Sequence, residues 1–158
     1  IRSFFLNGTL LESVRTYKYL GFIISTSGEI RSGLQDLRDR AMKAFMKLKT
    51  SMGTSFNQDI SITLKLIESL INPILLYMSD FWGCLKLPKQ NPIENMQVMM
   101  YKHLLGVQKQ TTNIGVLLEL GKVPLHINAT KFAIKNWERI KMGHSNEILQ
   151  SSYNEAQS

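Results

Sequence analysis

Cysteine is nearly absent from this chain. With Cys84 as the single thiol, no intrachain disulfide can form and no cysteine-based zinc site can be built. That usage suits a reducing compartment, so the expected location is intracellular, nuclear or cytoplasmic. Long apolar runs are missing too. The stretch Ile71 to Trp82 is too short to cross a bilayer and is interrupted by Pro73 and Asp80. Carboxylate pairs of the catalytic kind are also lacking: the only aspartates are Asp36, Asp39, Asp59 and Asp80, and none are adjacent. His103, His126 and His144 share no metal-ligand spacing. No glycine-rich phosphate loop and no Ser, His and acid arrangement stands out. No catalytic residue and no metal ligand are therefore assigned, and no cofactor is expected in this chain.

What is present is charge of one sign. The 158 residues carry a formal net charge of +7 and a pI near 9.6, with 44% hydrophobic residues. That length makes one domain, or one and a fraction, and the apolar content supports a folded core. The charge favours acidic partners, nucleic acid first and an anionic membrane surface second.

Hydrophobic periodicity changes along the chain. Phe4 to Leu6 and Thr9 to Val14 read as paired strands around Asn7-Gly8, since both residues tolerate the positive φ of a type I′ turn. Tyr17 to Ser25 reads as a third strand, with Gly21 marking a bulge or a close backbone approach. From Glu29 to Met52 the apolar residues Leu34, Leu37, Ala41, Phe45, Leu48 and Met52 recur at helical steps, and Gly53 closes the helix. Asp59 to Ser79 reads as a second helix kinked at Pro73. A third runs from Asn91 to Gly106, with Asn91 as cap, Pro92 in the first turn and Glu94 reaching back as in a capping box. Thr112 caps a fourth that ends at Gly121, and a fifth spans Leu125 to Met142. The tail is polar, with one weak turn near Ile148. The expected fold is mainly α: a small antiparallel sheet confined to the first 26 residues, followed by a five-helix bundle.

The order of these pieces carries a resemblance. Tyr17-Lys18-Tyr19-Leu20-Gly21-Phe22 follows a hairpin and precedes a basic helix. Leu70-Ile71-Asn72-Pro73-Ile74-Leu75-Leu76-Tyr77 comes next, with Trp82-Gly83 after it. Thr111-Thr112-Asn113 and Glu119-Leu120-Gly121-Lys122-Val123-Pro124-Leu125 follow. This succession resembles the end of the palm, the thumb and the post-thumb region of reverse transcriptases from non-LTR (LINE-type) retrotransposons, up to about Trp137. The resemblance implies residues 1–26 as the end of a palm, 27–106 as a thumb and 107–158 as a post-thumb region. It implies that Tyr19, Leu20 and Gly21 lie at a primer grip. The parent enzyme would be an RNA-directed DNA polymerase using Mg²⁺, whose paired aspartates lie upstream of this chain. The chain reads as a fragment that begins just after them. Its implied partners are a primer–template duplex, RNA–DNA or DNA, and the rest of the polymerase.

Two sets of basic residues are candidates for phosphate contacts. Arg40, Lys43 and Lys47 lie off the apolar stripe of the first helix, and Lys131, Lys135 and Arg139 recur every four residues on the fifth. A solvated helix face is the plain alternative for both. Trp82, Trp137, Met96, Met99 and Met100 read as core, with Phe132, Trp137 and Ile140 on the apolar side of the fifth helix. A rival reading is a small helical interaction or scaffold protein derived from a decayed retrotransposon, with an apolar groove left where the polymerase once packed.

Overall fold

The computed structural model describes residues 5–6, 9–10, 12–85, 87, 91–143, 147, 151 and 154–155. Two separate two-stranded antiparallel sheets open the chain: β1 (Phe5–Leu6) with β2 (Thr9–Leu10), and β3 (Thr16–Tyr19) with β4 (Phe22–Ser25). All strands among the described residues lie within the first 26, as expected. Phe4, Asn7-Gly8 and the turn near Ile148 fall outside the described residues. Two expectations need correction. Residues 12–14 do not continue β2. The segment Tyr17 to Ser25 is a hairpin rather than one strand, pairing Tyr19 with Phe22 across Leu20-Gly21.

The long helix α1 (Arg31–Met52) starts two residues later than its pattern suggested. It buries Leu34, Leu37, Ala41 and Phe45 and is the spine of the core. Its first turns lie against β4, where Gly33 is required: a Cβ there would meet the Phe22 ring at 2.4 Å and the Ile23 carbonyl at 2.8 Å. A short α2 (Ser55–Gln58) follows. Asp59 then caps α3 (Ile60–Leu66), its carboxylate accepting from the Ile62 amide at 3.0 Å.

The kink expected at Pro73 takes a specific form. Residues Ile67–Ile71 widen into a π-helical turn before α4 (Asn72–Leu75), and the Asn72 amide reaches back to the Ile67 carbonyl. Proline cannot donate to the carbonyl four residues back and its ring crowds it, so the helix opens by one residue just ahead of the ring. The helix ends at Leu75 rather than Ser79, and a left-handed Met78 (φ 53°) restarts the chain as α5 (Ser79–Trp82). Of its apolar positions, Ile67, Ile71 and Leu75 are buried, but Ile60 and Leu70 are exposed.

In α6 (Pro92–Leu105), Asn91 caps as expected, accepting from the Ile93 amide at 3.1 Å. Glu94 does not complete a capping box; its carboxylate pairs with His126 instead. Thr112 precedes α7 (Asn113–Glu119) without a side-chain cap. The last long helix, α8 (Leu125–Lys141), lies across α5 and α6. The five expected helices are thus α1, the α3–α4 unit, α6, α7 and α8, with α2 and α5 as short additions. Gln97, fully buried, joins three of these pieces: it donates to the Val123 carbonyl at 2.9 Å and accepts from the Leu125 amide at 3.0 Å, fixing the α7–α8 corner.

Trp82, Met96 and Met100 are core, and Met99 packs partly against it. Trp137 and Phe132 are not: they are 51% and 46% exposed. The buried face of α8 is Leu125, Ala129 and Ala133. Small residues are needed there because α5 approaches closely; a Cβ on Gly83 would meet the Ala129 carbonyl oxygen at 2.2 Å. Aromatic side chains cannot enter that contact, so they lie at its margins.

Candidate nucleic-acid interface

The β3–β4 turn is exposed and is held by side chains from elsewhere in the fold. Leu20 and Gly21 both have positive φ, 46° and 84°, the sign a type I′ turn requires. Glycine adopts it without penalty, whereas leucine in the left-handed region costs roughly 1–2 kcal/mol. Side chains distant in sequence hold it there. The Tyr77 hydroxyl donates to the Leu20 carbonyl. Arg40 Nη2 donates to the Gly21 carbonyl at 2.8 Å. The same guanidinium lies 2.8 Å from Asp36 Oδ2 as an ion pair and 5.8 Å from the centre of the Tyr77 ring. Lys18 approaches Asp36 from the hairpin side at 4.0 Å. The turn is thereby tied to both α1 and the end of α4, while the side chains of Tyr19 and Leu20 stay 52% and 68% exposed.

The three basic residues nominated on α1 therefore divide. Arg40 is half-buried and holds the turn. Lys43 and Lys47 are exposed. At about 100° of helix per residue, both fall on the outer side of α1. On α8, Lys131, Lys135 and Arg139 are exposed along one side, as their spacing implied. Arg139 also donates to Asn136 at 2.8 Å. Phe132 lies beside them, and Lys141 stands 5.1 Å over the Trp137 ring. Sequence reasoning missed the roles of Tyr77 and Asp36. Nothing local marks them, because they act on a turn far away along the chain.

The four aspartates are spread over separate roles. Asp36 faces Arg40 and Lys18, Asp39 faces Arg38 and Gln35, Asp59 caps α3, and Asp80 lies on α5. Among the described residues no three His, Cys, Asp or Glu side chains converge as a metal ion would need. No helix among them is long and apolar enough to cross a membrane. The chain matches no protein-family model, and neither curated proteins nor solved structures give a significant match.

Proposed function

We propose that this chain is the primer-grip end of the palm, the thumb and the post-thumb connection of a LINE-type reverse transcriptase. In this reading it grips a primer–template hybrid through phosphate and sugar contacts and leaves the Mg²⁺ chemistry to the rest of the parent enzyme. The observation that carries the reading is the pinned turn. Backbone strain held in place by a surrounding network clusters at functional sites, and here it lies at an exposed tip. The tip falls on Tyr19, Leu20 and Gly21, the residues whose motif resembles the primer grip. Lys43 and Lys47 supply positive charge on the outer side of the helix that holds the turn. Phosphate contacts of this kind position a duplex without reading its sequence.

A second reading is supported by a different observation. Phe132, Ile134, Trp137 and Met142 of the α8 region are all exposed, from 46% to 70%, which suits a helical scaffold with an apolar docking face. Filter binding of an RNA–DNA hybrid at two salt concentrations separates the two. The first reading expects binding at low salt that weakens steeply as salt rises. No binding at low salt favours the scaffold. In the coding sequence upstream of residue 1, a Tyr/Phe-Ala-Asp-Asp strand is expected by the first reading.

A further inference from the structure

A second concentration of positive charge lies on the other flank of α1. Arg38 and Arg40 fall on opposite sides of the buried stripe, at about 100° per residue. Arg38 faces α6, and between them and the loop after α6 is a cavity of about 830 Å³. Its cationic lining is Arg38, Lys102 and Lys109, with the His103 ring beside them, and its apolar wall includes Val98 and Met99. No carboxylate is among the described residues that line it. Asp39 does reach Arg38, at 3.1 Å.

Lys102 and His103 are held in place by hydrogen bonds. Lys102 Nζ donates to the Lys109 carbonyl at 2.8 Å, which fixes the ammonium at the rim and leaves it further donors. His103 Nδ1 bonds the Met99 carbonyl at 2.9 Å, and its ring stands edge-on to Phe45 at 5.8 Å. Nδ1 is thus the donor to that carbonyl, and Nε2 is left at the cavity, an N–H donor to a phosphate oxygen when the ring carries both protons. Like charges gathered against low-dielectric walls repel one another and focus the field into the cleft. A multiply charged anion relieves that repulsion and can take several charge-assisted hydrogen bonds at once.

We infer that this cavity between α1, α6 and the loop at residues 106–111 is a phosphate-group site. Its occupant is a phosphate of a nucleic-acid strand or a free di- or triphosphate. The site stands on its own residues; only the strand as occupant rests on the function proposed above.

The test is a titration of the full chain with sodium pyrophosphate at constant ionic strength, followed by the ring proton resonances of the histidines. A saturable shift of the His103 signal, with His126 unmoved, is expected, because His126 is held by Glu94 elsewhere. Arg38→Gln and Lys102→Gln should each weaken the affinity roughly tenfold, the loss of one charge-assisted contact. Lys109→Gln, at an exposed rim position, serves as a further variant, with circular dichroism to establish folding. No saturable shift, equal shifts of every histidine, or full affinity in the folded variants would overturn the site. A single-stranded oligonucleotide that displaces pyrophosphate identifies a strand phosphate; one that binds without displacing it identifies a free di- or triphosphate. Pyrophosphate binding at His103 by a chain that binds no nucleic acid upholds this site and removes the proposed function. Hybrid binding without any pyrophosphate effect does the reverse.

Discussion

Replacing Leu20 by Asn should make the protein more stable and a poorer binder of nucleic acid. Asparagine enters the left-handed region far more readily than leucine, and Asn-Gly is the preferred pair for a two-residue hairpin turn. The substitution thus recovers much of the roughly 1–2 kcal/mol held at φ 46°. Against this stands the lost burial of the leucine. Its side chain is 68% exposed, so about a third of a full burial worth about 1.5–3 kcal/mol is forfeited, on the order of 0.5–1 kcal/mol. The bonds from Tyr77 and Arg40 go to backbone carbonyls and survive the change. The net expectation is a gain of up to about 1 kcal/mol, roughly 2–4 °C in Tm for a chain of this size. Urea denaturation read by circular dichroism measures it as a higher midpoint at unchanged slope. If the turn meets the primer strand as proposed, hybrid binding by the same protein should fall. A lower midpoint would refute the strain argument. A higher midpoint with undiminished binding would remove Leu20 from the interface.

Other expectations follow from the same geometry. Arg40→Met breaks the charged hydrogen bond to Gly21 and leaves Asp36 without its main partner; a loss of about 1–2 kcal/mol is expected, discounted for partial exposure. Hydrogen exchange should accelerate first in Thr16–Ser25, whereas uniform acceleration would mean Arg40 supports the whole core instead. Gly83→Ala drives a methyl into the Ala129 backbone, so a loss of about 3 kcal/mol or more is expected on thermal melting, the upper end for overpacking; an unchanged Tm would contradict the close α5–α8 contact. Burial pushes the Tyr101 hydroxyl above the ordinary tyrosine range. Above about pH 10 the unfolded chain therefore releases a proton that the folded chain keeps, and stability falls until the native hydroxyl also ionises. Tyr101→Phe should flatten that alkaline decline in urea midpoints; an identical decline in the variant would assign it to other groups.

Signals that act locally were legible in the sequence. Asn91-Pro92 started a helix where it should, because cap and first-turn proline need only their immediate neighbours. The stripe Leu34, Leu37, Ala41 and Phe45 found the core for the same reason. Leu20 was not legible as a turn residue, since leucine has no preference for that conformation. It is held by Tyr77, 57 residues away, which bonds the Leu20 carbonyl, and by Arg40, which bonds Gly21 from 19 residues away. Nor was the orientation of α8. Hydrophobicity favours burying Phe132 and Trp137, but Gly83 packs on the backbone at Ala129, and the helix buries Leu125, Ala129 and Ala133 instead. Arg40 looked like a solvent-facing cation for the same reason that Lys43 does; only the folded hairpin beside it separates the two.

The central claim, that this surface grips a primer–template duplex, is tested most directly by a salt titration of RNA–DNA hybrid binding for the wild-type chain and for Lys43→Ala/Lys47→Ala. Both lysines are exposed on α1, and alanine is the better helix former, so folding should be unaffected. Two lost phosphate contacts predict weaker binding at low salt. They also predict a log–log salt slope flatter by roughly 1.8, taking about 0.9 per contact from B-DNA, with the same loss on hybrids of unrelated sequence. Equal affinities and equal slopes for the two proteins would contradict the account.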